Sequence, residues 1–297
     1  MKNKTIMAFG SIVLLLLGSV LSAVNAWADD KPPKDEHALA KASQNPVASL
    51  ISLPFENNAT FNNGKEDVFV NILNIKPVIP MSLTENWNLI NRAIVPAIYV
   101  DDEGTGPFHT IGGPYVTLIK KPEHEGREFG LGDIVYQGFI SPAKPGKFIW
   151  GLGPQLNIPT GMERLTSDQW SLGPVAVGLT MPGHWVIGAL VSNVWSIGGY
   201  NDAPDVNVLT AQYFINYNMK GGWYLSAAPV IKANWEADDN DDTWTIPVGG
   251  GVGRVFKIGK QPVNLKLAGY YSAVKPDDAS DWNLQFTWTF LFPKKPK

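Results

Sequence analysis

The sequence predicts an all-β protein, a single antiparallel up-and-down transmembrane β-barrel of about twelve strands. Three observations predict it. An export signal opens the chain, and no spanning helix follows it. From about residue 49, segments of alternating polarity succeed one another. Aromatic residues bracket several of these segments on the apolar face.

Residues 1–28 read as a secretory signal peptide. Lys2 and Lys4 make a positive start, Ile12 to Leu21 an apolar core, and Ala26-Trp27-Ala28 a small-x-small cleavage site before Asp29 and Asp30. An uncleaved anchor helix is the rival reading, because apolar character runs from about Ile6 to Val24. Beyond it, no run approaches the roughly 18–20 apolar residues of a spanning helix. If the remaining chain crosses a membrane it must do so as a closed barrel, since lipid cannot satisfy open strand edges.

Composition narrows the function classes. The 297 residues include no cysteine, which excludes disulfides, thiolate metal sites and a lipid-anchored cysteine. Only 17% are charged, while 11 Trp, 29 Gly and 23 Pro suit strands and turns better than helices. The net charge of −3 becomes more negative once Lys2 and Lys4 are removed, so no nucleic-acid partner is expected. Residues 29–48 are polar and proline-containing, a periplasmic N-terminal segment with a helical turn around His37 to Ala42. The barrel is expected over 49–292, and 293–297 form a polar tail.

Period-two alternation is clearest in the second half. From Trp223 to Trp235, one face carries Leu225, Ala227 and Ile231, the other Ser226, Lys232 and Asn234. Leu209 to Asn218, Val263 to Ala273 and Trp282 to Phe292 alternate likewise. The inward faces supply the lumen-lining candidates Gln212, Asn216, Lys232, Asn234, Asn264, Lys266 and Gln285. Charges are few among them, so no strong ion selectivity is expected.

A soluble sandwich also alternates, so the aromatic spacing decides. Trp185 and Trp195 end one apolar face with Ile187, Ala189 and Val191 between them. Ten residues at about 3.3 Å make roughly 33 Å of strand, which a tilt of about 40–45° reduces to roughly 24 Å of height, the thickness of an outer-membrane apolar band. Trp223 with Trp235, and Trp244 with Phe256, repeat the pattern. Trp282 and Phe292 complete the expected girdle. Arg254 falls on the apolar face near a strand end, where it is expected to snorkel unless a bulge turns it inward.

The connections alternate between two kinds. Met181 to His184, Asn218 to Gly222, Ile258 to Pro262 and Ser141 to Lys147 are short. Ile197 to Asp205, Glu236 to Asp242, Lys275 to Asp281 and Pro159 to Gln169 are longer and mostly acidic. Short periplasmic turns and longer outer loops are the barrel rule. Counting back gives strands at 282–292, 262–274, 243–257, 222–235, 206–218, 184–197, 170–181, 147–158, 131–141, 86–98 and 67–78. An even number adds Ser49 to about Phe55 as the twelfth. Ten or fourteen strands are the alternatives, because Tyr99 to Gly130 is long enough to hold a hairpin around Tyr115 to Lys120, or to fold inward as a constriction.

No catalytic constellation stands out. His37, His109, His124 and His184 belong to no nucleophile motif and read as surface or turn residues. The run Glu236, Asp238, Asp239, Asp241 and Asp242 has carboxylates suited to Ca²⁺, but lacks the glycine turn and terminal Glu of an EF-hand. A solvated loop is the preferred reading. No resident metal or cofactor is expected.

Several motifs resemble a known family. They are Asn45-Pro46-Val47-Ala48-Ser49-Leu50-Ile51-Ser52-Leu53-Pro54, Trp87-Asn88-Leu89-Ile90-Asn91-Arg92, Gly130-Leu131-Gly132-Asp133-Ile134, Trp150-Gly151-Leu152-Gly153-Pro154, Pro159-Thr160-Gly161, and the stretch from Gly249-Gly250-Gly251-Val252-Gly253-Arg254 to Gly269-Tyr270-Tyr271. Together they resemble the outer-membrane transporter family of the MetA-pathway of phenol degradation type, often labelled neuromedin U. The resemblance spans nearly all of the chain after the signal and implies a bacterial outer-membrane barrel that passes small, hydrophobic or aromatic molecules. Its motifs are structural, so it carries no functional residues over.

The leading expectation is therefore a passive channel or transporter, not an enzyme. Its partners would be outer-membrane lipid and lipopolysaccharide, an unidentified small solute, and the barrel-assembly machinery during insertion. The alternatives are a non-conducting structural barrel, a lipid-modifying outer-membrane enzyme, and a soluble periplasmic β protein.

Overall fold

The computed structural model describes residues 36–293 apart from 64–67, 102–107, 110–117, 120–127, 163–164, 200–202, 238 and 278. The expected signal peptide, His124, Asp238 and most of the tail lie outside the described residues. Among those described, no helix is long and apolar enough to cross a membrane.

One antiparallel sheet closes on itself. Nine of its twelve staves are continuous: β1 (Ile51–Asn63), β4 (Trp87–Asp101), β9 (Phe148–Ile158), β10 (Gln169–Thr180), β11 (Trp185–Gly199), β12 (Asn207–Asn218), β15 (Trp244–Ile258), β16 (Gln261–Val274) and β17 (Trp282–Phe292). Three are broken in the middle. β2 (Val68–Ile75) continues as β3 (Val78–Ser82), β7 (Glu128–Leu131) as β8 (Ile134–Pro142), and β13 (Trp223–Ala227) as β14 (Val230–Asn234). The first and third breaks coincide with Pro77 and Pro229, which have no N–H for the ladder. At Gly132-Asp133 the register against β4 shifts by one residue, from Ala97↔Leu131 to Ile94↔Val135.

Closure joins the first stave to the last, in unbroken register from Ile51↔Phe292 to Phe61↔Trp282. The first stave is much longer than the expected Ser49 to Phe55. Its distal half, Glu56 to Asn63, is rich in asparagine, which strands usually avoid. Burial against β2 and β17 overrides that propensity, and Asn58, Thr60 and Asn63 are buried inside. Within the long segment after β4, β5 (Phe108–His109) pairs with β6 (Leu118–Ile119) in a separate two-stranded ladder.

The short turns use glycine where the chain reverses most tightly. Gly183 (φ +53°) and Gly259 (φ +61°) occupy the left-handed region, which costs a residue with a Cβ more. Outside the wall, side chains of the apolar parity are exposed, among them Leu152, Ile187, Val191, Leu225, Val252 and Phe286. Such a surface is what hydrocarbon wets.

The interior has two unlike halves. Facing β4, β8, β10 and β11 lies a dry core: Ile90, Phe139, Val175, Val177, Leu179 and Leu190, joined by Phe214 of β12. Further toward the outer loops, Val70, Ile72, Ile98 and Val100 pack with Leu165 of the β9–β10 connection. The opposite half, from β12 round to β1, is polar, with Ser226, Asn264, Asn283, Gln285, Thr287 and Thr289 buried on inward positions. At roughly 0.8 kcal/mol per buried methylene, the dry half stabilises the barrel as a core does, and it confines any solute to the other side.

Candidate functional site

A short helix plugs the end of the barrel that carries the short turns. α1 (Glu36–Ser43) carries good helix formers, with Glu36 in its first turn and Lys41 in its last, each favourable to the helix dipole. Leu39 and Ala40 are buried against Leu50, Tyr224, Val255 and Leu291. Polar ties hold it in place. Lys41 Nζ donates to the Met181 and Gly183 carbonyls at 3.1 and 2.7 Å. Gln44 Nε2 donates to Asn218 Oδ1 at 2.9 Å and Asn218 Nδ2 to Gln44 Oε1 at 3.1 Å. The His37 ring meets His184 edge-on at 5.3 Å, and His184 Nδ1 lies 3.0 Å from the Asn218 carbonyl oxygen. Val47 follows the helix into the dry core and fits because Gly151 has no side chain; a Cβ there would stand 2.9 Å from Val47.

Above the plug lies a polar cavity of about 200 Å³. Its floor is Ser43, Gln44 and Asn45; its walls include Asn216, Tyr224, Asn264 and Thr287. Tyr224 Oη donates to Asn264 Oδ1 at 2.8 Å. At its far end, Glu56 of β1 is ion-paired with Lys76 at the β2–β3 break, and Arg92 and Lys266 share the lining. Glu56 is the sole carboxylate of the described lining, against three cations.

Glu56, Lys76, Gln212 and Ala228 also line a second cavity of about 20 Å³, nearer the outer loops. The ion pair thus separates two polar chambers. In the smaller one, Asn58 Oδ1 accepts from Asn283 Nδ2 at 3.2 Å and from Gln285 Nε2 at 3.0 Å. Asn283 Oδ1 and Gln285 Oε1 are buried without a partner.

The structure places the lumen candidates as follows. Asn216, Asn264 and Lys266 line the larger chamber, Gln285 the smaller, and Gln212 both. Lys232 is buried on the inward face of β14, and Asn234 stands at its outer end, accepting from the Glu236 amide. Sequence reasoning missed Glu56, Lys76 and Arg92. Period-two spacing from Ser52 and Pro54 to Glu56, and from Ile90 to Arg92, was the signal available for two of them. Phe139 and Phe214 belong to a packed half of the interior that the alternation of the strands did not indicate.

On the outside, Trp185, Trp195, Trp223, Trp235 and Trp282 are exposed at stave ends. They pair across strands: Trp235 meets Trp244 at 5.5 Å, Trp185 meets Tyr217 at 4.8 Å and Trp282 meets Tyr271 at 4.8 Å. Trp87 and Trp150, which were not among the expected girdle residues, add a further pair at 5.8 Å. Phe256 is half-buried under Arg254, whose guanidinium carbon lies 5.8 Å from that ring and 5.1 Å from Trp223, while its Nε donates to the Gly221 carbonyl. Arg254 thus lies along the rim, not inward. Phe292 differs from the other girdle candidates: it is 3% exposed and packs with Ile51 and Leu53. Among the described residues, no three His, Asp or Glu side chains are grouped to hold a metal ion.

A closed sheet with an apolar, aromatic-rimmed exterior and a polar inner lane defines the class: this is a bacterial outer-membrane β-barrel. Residues 52–196 match the family described as "Putative MetA-pathway of phenol degradation". The barrel is similar to an outer membrane channel from Pseudomonas putida F1, with a TM-score of 0.58 and 16% identity, covering 88% of this chain and 100% of that one. Looser likenesses are to the β domain of the Bordetella autotransporter BrkA (TM-score 0.44, 11% identity, 82% and 99% coverage) and to the CymD monoaromatic hydrocarbon channel (TM-score 0.38, 9% identity, 91% and 95% coverage). A comparison with curated proteins gave no match.

Proposed function

We propose that the protein is a passive channel for small solutes, held shut at its periplasmic end by α1. The observation that carries this reading is the polar chamber of about 200 Å³ behind a helix held by a few side-chain hydrogen bonds and by the burial of Leu39 and Ala40. Its departure would break those bonds, expose Leu39 and Ala40, and open the polar lane to the periplasm. The name of the matching family points to aromatic compounds as cargo, and the similar Pseudomonas putida protein is an outer membrane channel. On the same reading residues 1–28 are a cleaved export signal, lipopolysaccharide surrounds the outer half, and the barrel-assembly machinery inserts the chain.

Swelling of proteoliposomes in solutes of graded size tests this. Wild-type protein should admit the smallest solutes slowly, and a variant lacking residues 36–43 should admit larger ones faster. No swelling by either protein with any solute would leave the second reading, a non-conducting structural barrel, which the packed half of the interior favours. An enzymatic role finds little support, because the His37 and His184 rings engage each other at the plug.

A further inference from the structure

The charges of the larger chamber are unevenly matched. Lys76 is ion-paired with Glu56. Arg92 of β4 and Lys266 of β16 line the same cavity, and among the described residues no carboxylate is ion-paired with either. Two cations that face a confined space without a counter-ion call for an anion, because a charge drawn away from bulk water is costly unless paired. The two differ in kind. The guanidinium of Arg92 is a planar fork that fits a carboxylate with two parallel hydrogen bonds, while Lys266 supplies a point charge.

The register sets these groups on one arc of the wall. Arg92, Lys76, Glu56 and Lys266 follow one another round the barrel, from β4 through the β2–β3 break and β1 to β16, with Thr287 of β17 between the last two. The facing wall carries no charge. Phe214 of β12 lies almost across the barrel from Arg92, with Gln212 and Asn216 on the same strand. The chamber thus has a cationic side and an aromatic side. An apolar cavity of about 150 Å³ is enough to hold benzene. This chamber measures about 200 Å³, which leaves room for one ring and a carboxylate.

Resting on the channel reading above, we propose that the larger chamber is a binding site for a small aromatic monocarboxylate, its carboxylate on Arg92 and Lys266 and its ring against Phe214. Glu56 offsets the charge of Lys76 and so limits how firmly an anion is held, and a site on a route of passage must let its occupant leave. A neutral ring brings no partner for the two cations. An aliphatic anion leaves the surface of Phe214 uncovered. Both should bind less well.

The probe is sodium benzoate at neutral pH, where its carboxyl is ionised, titrated calorimetrically into the folded protein in detergent. Benzyl alcohol keeps the ring without the charge, and acetate keeps the charge without the ring. Benzoate should bind saturably and at least about ten-fold more tightly than either. Arg92→Gln/Lys266→Gln should abolish the preference over benzyl alcohol. Arg92→Lys, which keeps the charge and loses the fork, should weaken benzoate about three-fold. Heat-modifiable migration establishes that each variant has folded. Arabinose swelling of proteoliposomes reports the end-to-end path. Benzoate bound no more tightly than acetate or benzyl alcohol, or bound equally well by the folded variants, overturns the site. Arabinose swelling no faster than in protein-free vesicles, with benzoate binding intact, overturns the channel reading instead.

Discussion

Gln44, just past the end of α1, and Asn218, at the end of β12, exchange amide hydrogen bonds across the plugged mouth at 2.9 and 3.1 Å. With the Lys41 bonds to Met181 and Gly183, they are the fastenings of the plug. A hydrogen bond of this kind contributes about 0.5–1.5 kcal/mol net, somewhat more where a charge takes part. Lys41→Ala/Gln44→Ala should therefore raise the population of the unplugged state roughly ten-fold or more, at about 1.4 kcal/mol per factor of ten. Arabinose swelling should quicken in this variant while heat-modifiable migration stays normal; swelling at the wild-type rate would show that α1 does not gate the lane.

The Glu56–Lys76 pair is buried between two chambers, so the two ends should be unequal to single substitution. Lys76→Met removes the ion-pair partner of a buried carboxylate and should cost up to about 3–5 kcal/mol, less where Lys266 compensates, whereas Glu56→Gln/Lys76→Met should recover most of the loss. Guanidinium unfolding of the barrel in lipid vesicles reads both. Equal stability of single and double variants would contradict this account.

Three cations and one carboxylate line the larger chamber, an excess of positive charge that favours anions. In the variant lacking residues 36–43, the reversal potential under a KCl gradient should favour chloride. Arg92→Gln/Lys266→Gln should bring it close to neutral, and Glu56→Gln should push it further toward chloride.

The outward parity of β11 makes another sharp contrast. Val191 is exposed where lipid is expected, and its neighbour Ser192 is buried within. Val191→Arg should cost about 2–4 kcal/mol at that depth. Val191→Leu should be nearly silent. Folding into vesicles, followed by tryptophan fluorescence, distinguishes them.

The stave number and the outer surface were legible because two independent periodicities coincide there: alternation along each strand, and short turns alternating with long loops. Trp185, Trp195, Trp223 and Trp235 carry both signals at once. The interior was harder to read. An inward residue meets whatever lies across the lumen, and no local pattern states that Ile90 will meet Phe139, or that Phe214 will complete a core and not face water. Glu56 was hidden for another reason. It stands in an asparagine-rich stretch with low strand propensity, whose pairing comes from two neighbours more than 10 and more than 200 positions away, as Glu56↔Asn74 and Glu56↔Thr287. The plug was foreseen only as a helical turn, since nothing in Glu36 to Ser43 announces which barrel mouth will receive it.

The unbroken register from Ile51↔Phe292 to Phe61↔Trp282 has a temporal consequence. The hem of the cloth is stitched by its two most distant threads, so no partial length of this chain is safe in oil. A ribosome that stalls anywhere before residue 282 releases a ribbon with two raw margins. Quality control at the membrane need inspect only whether the last stave has found the first.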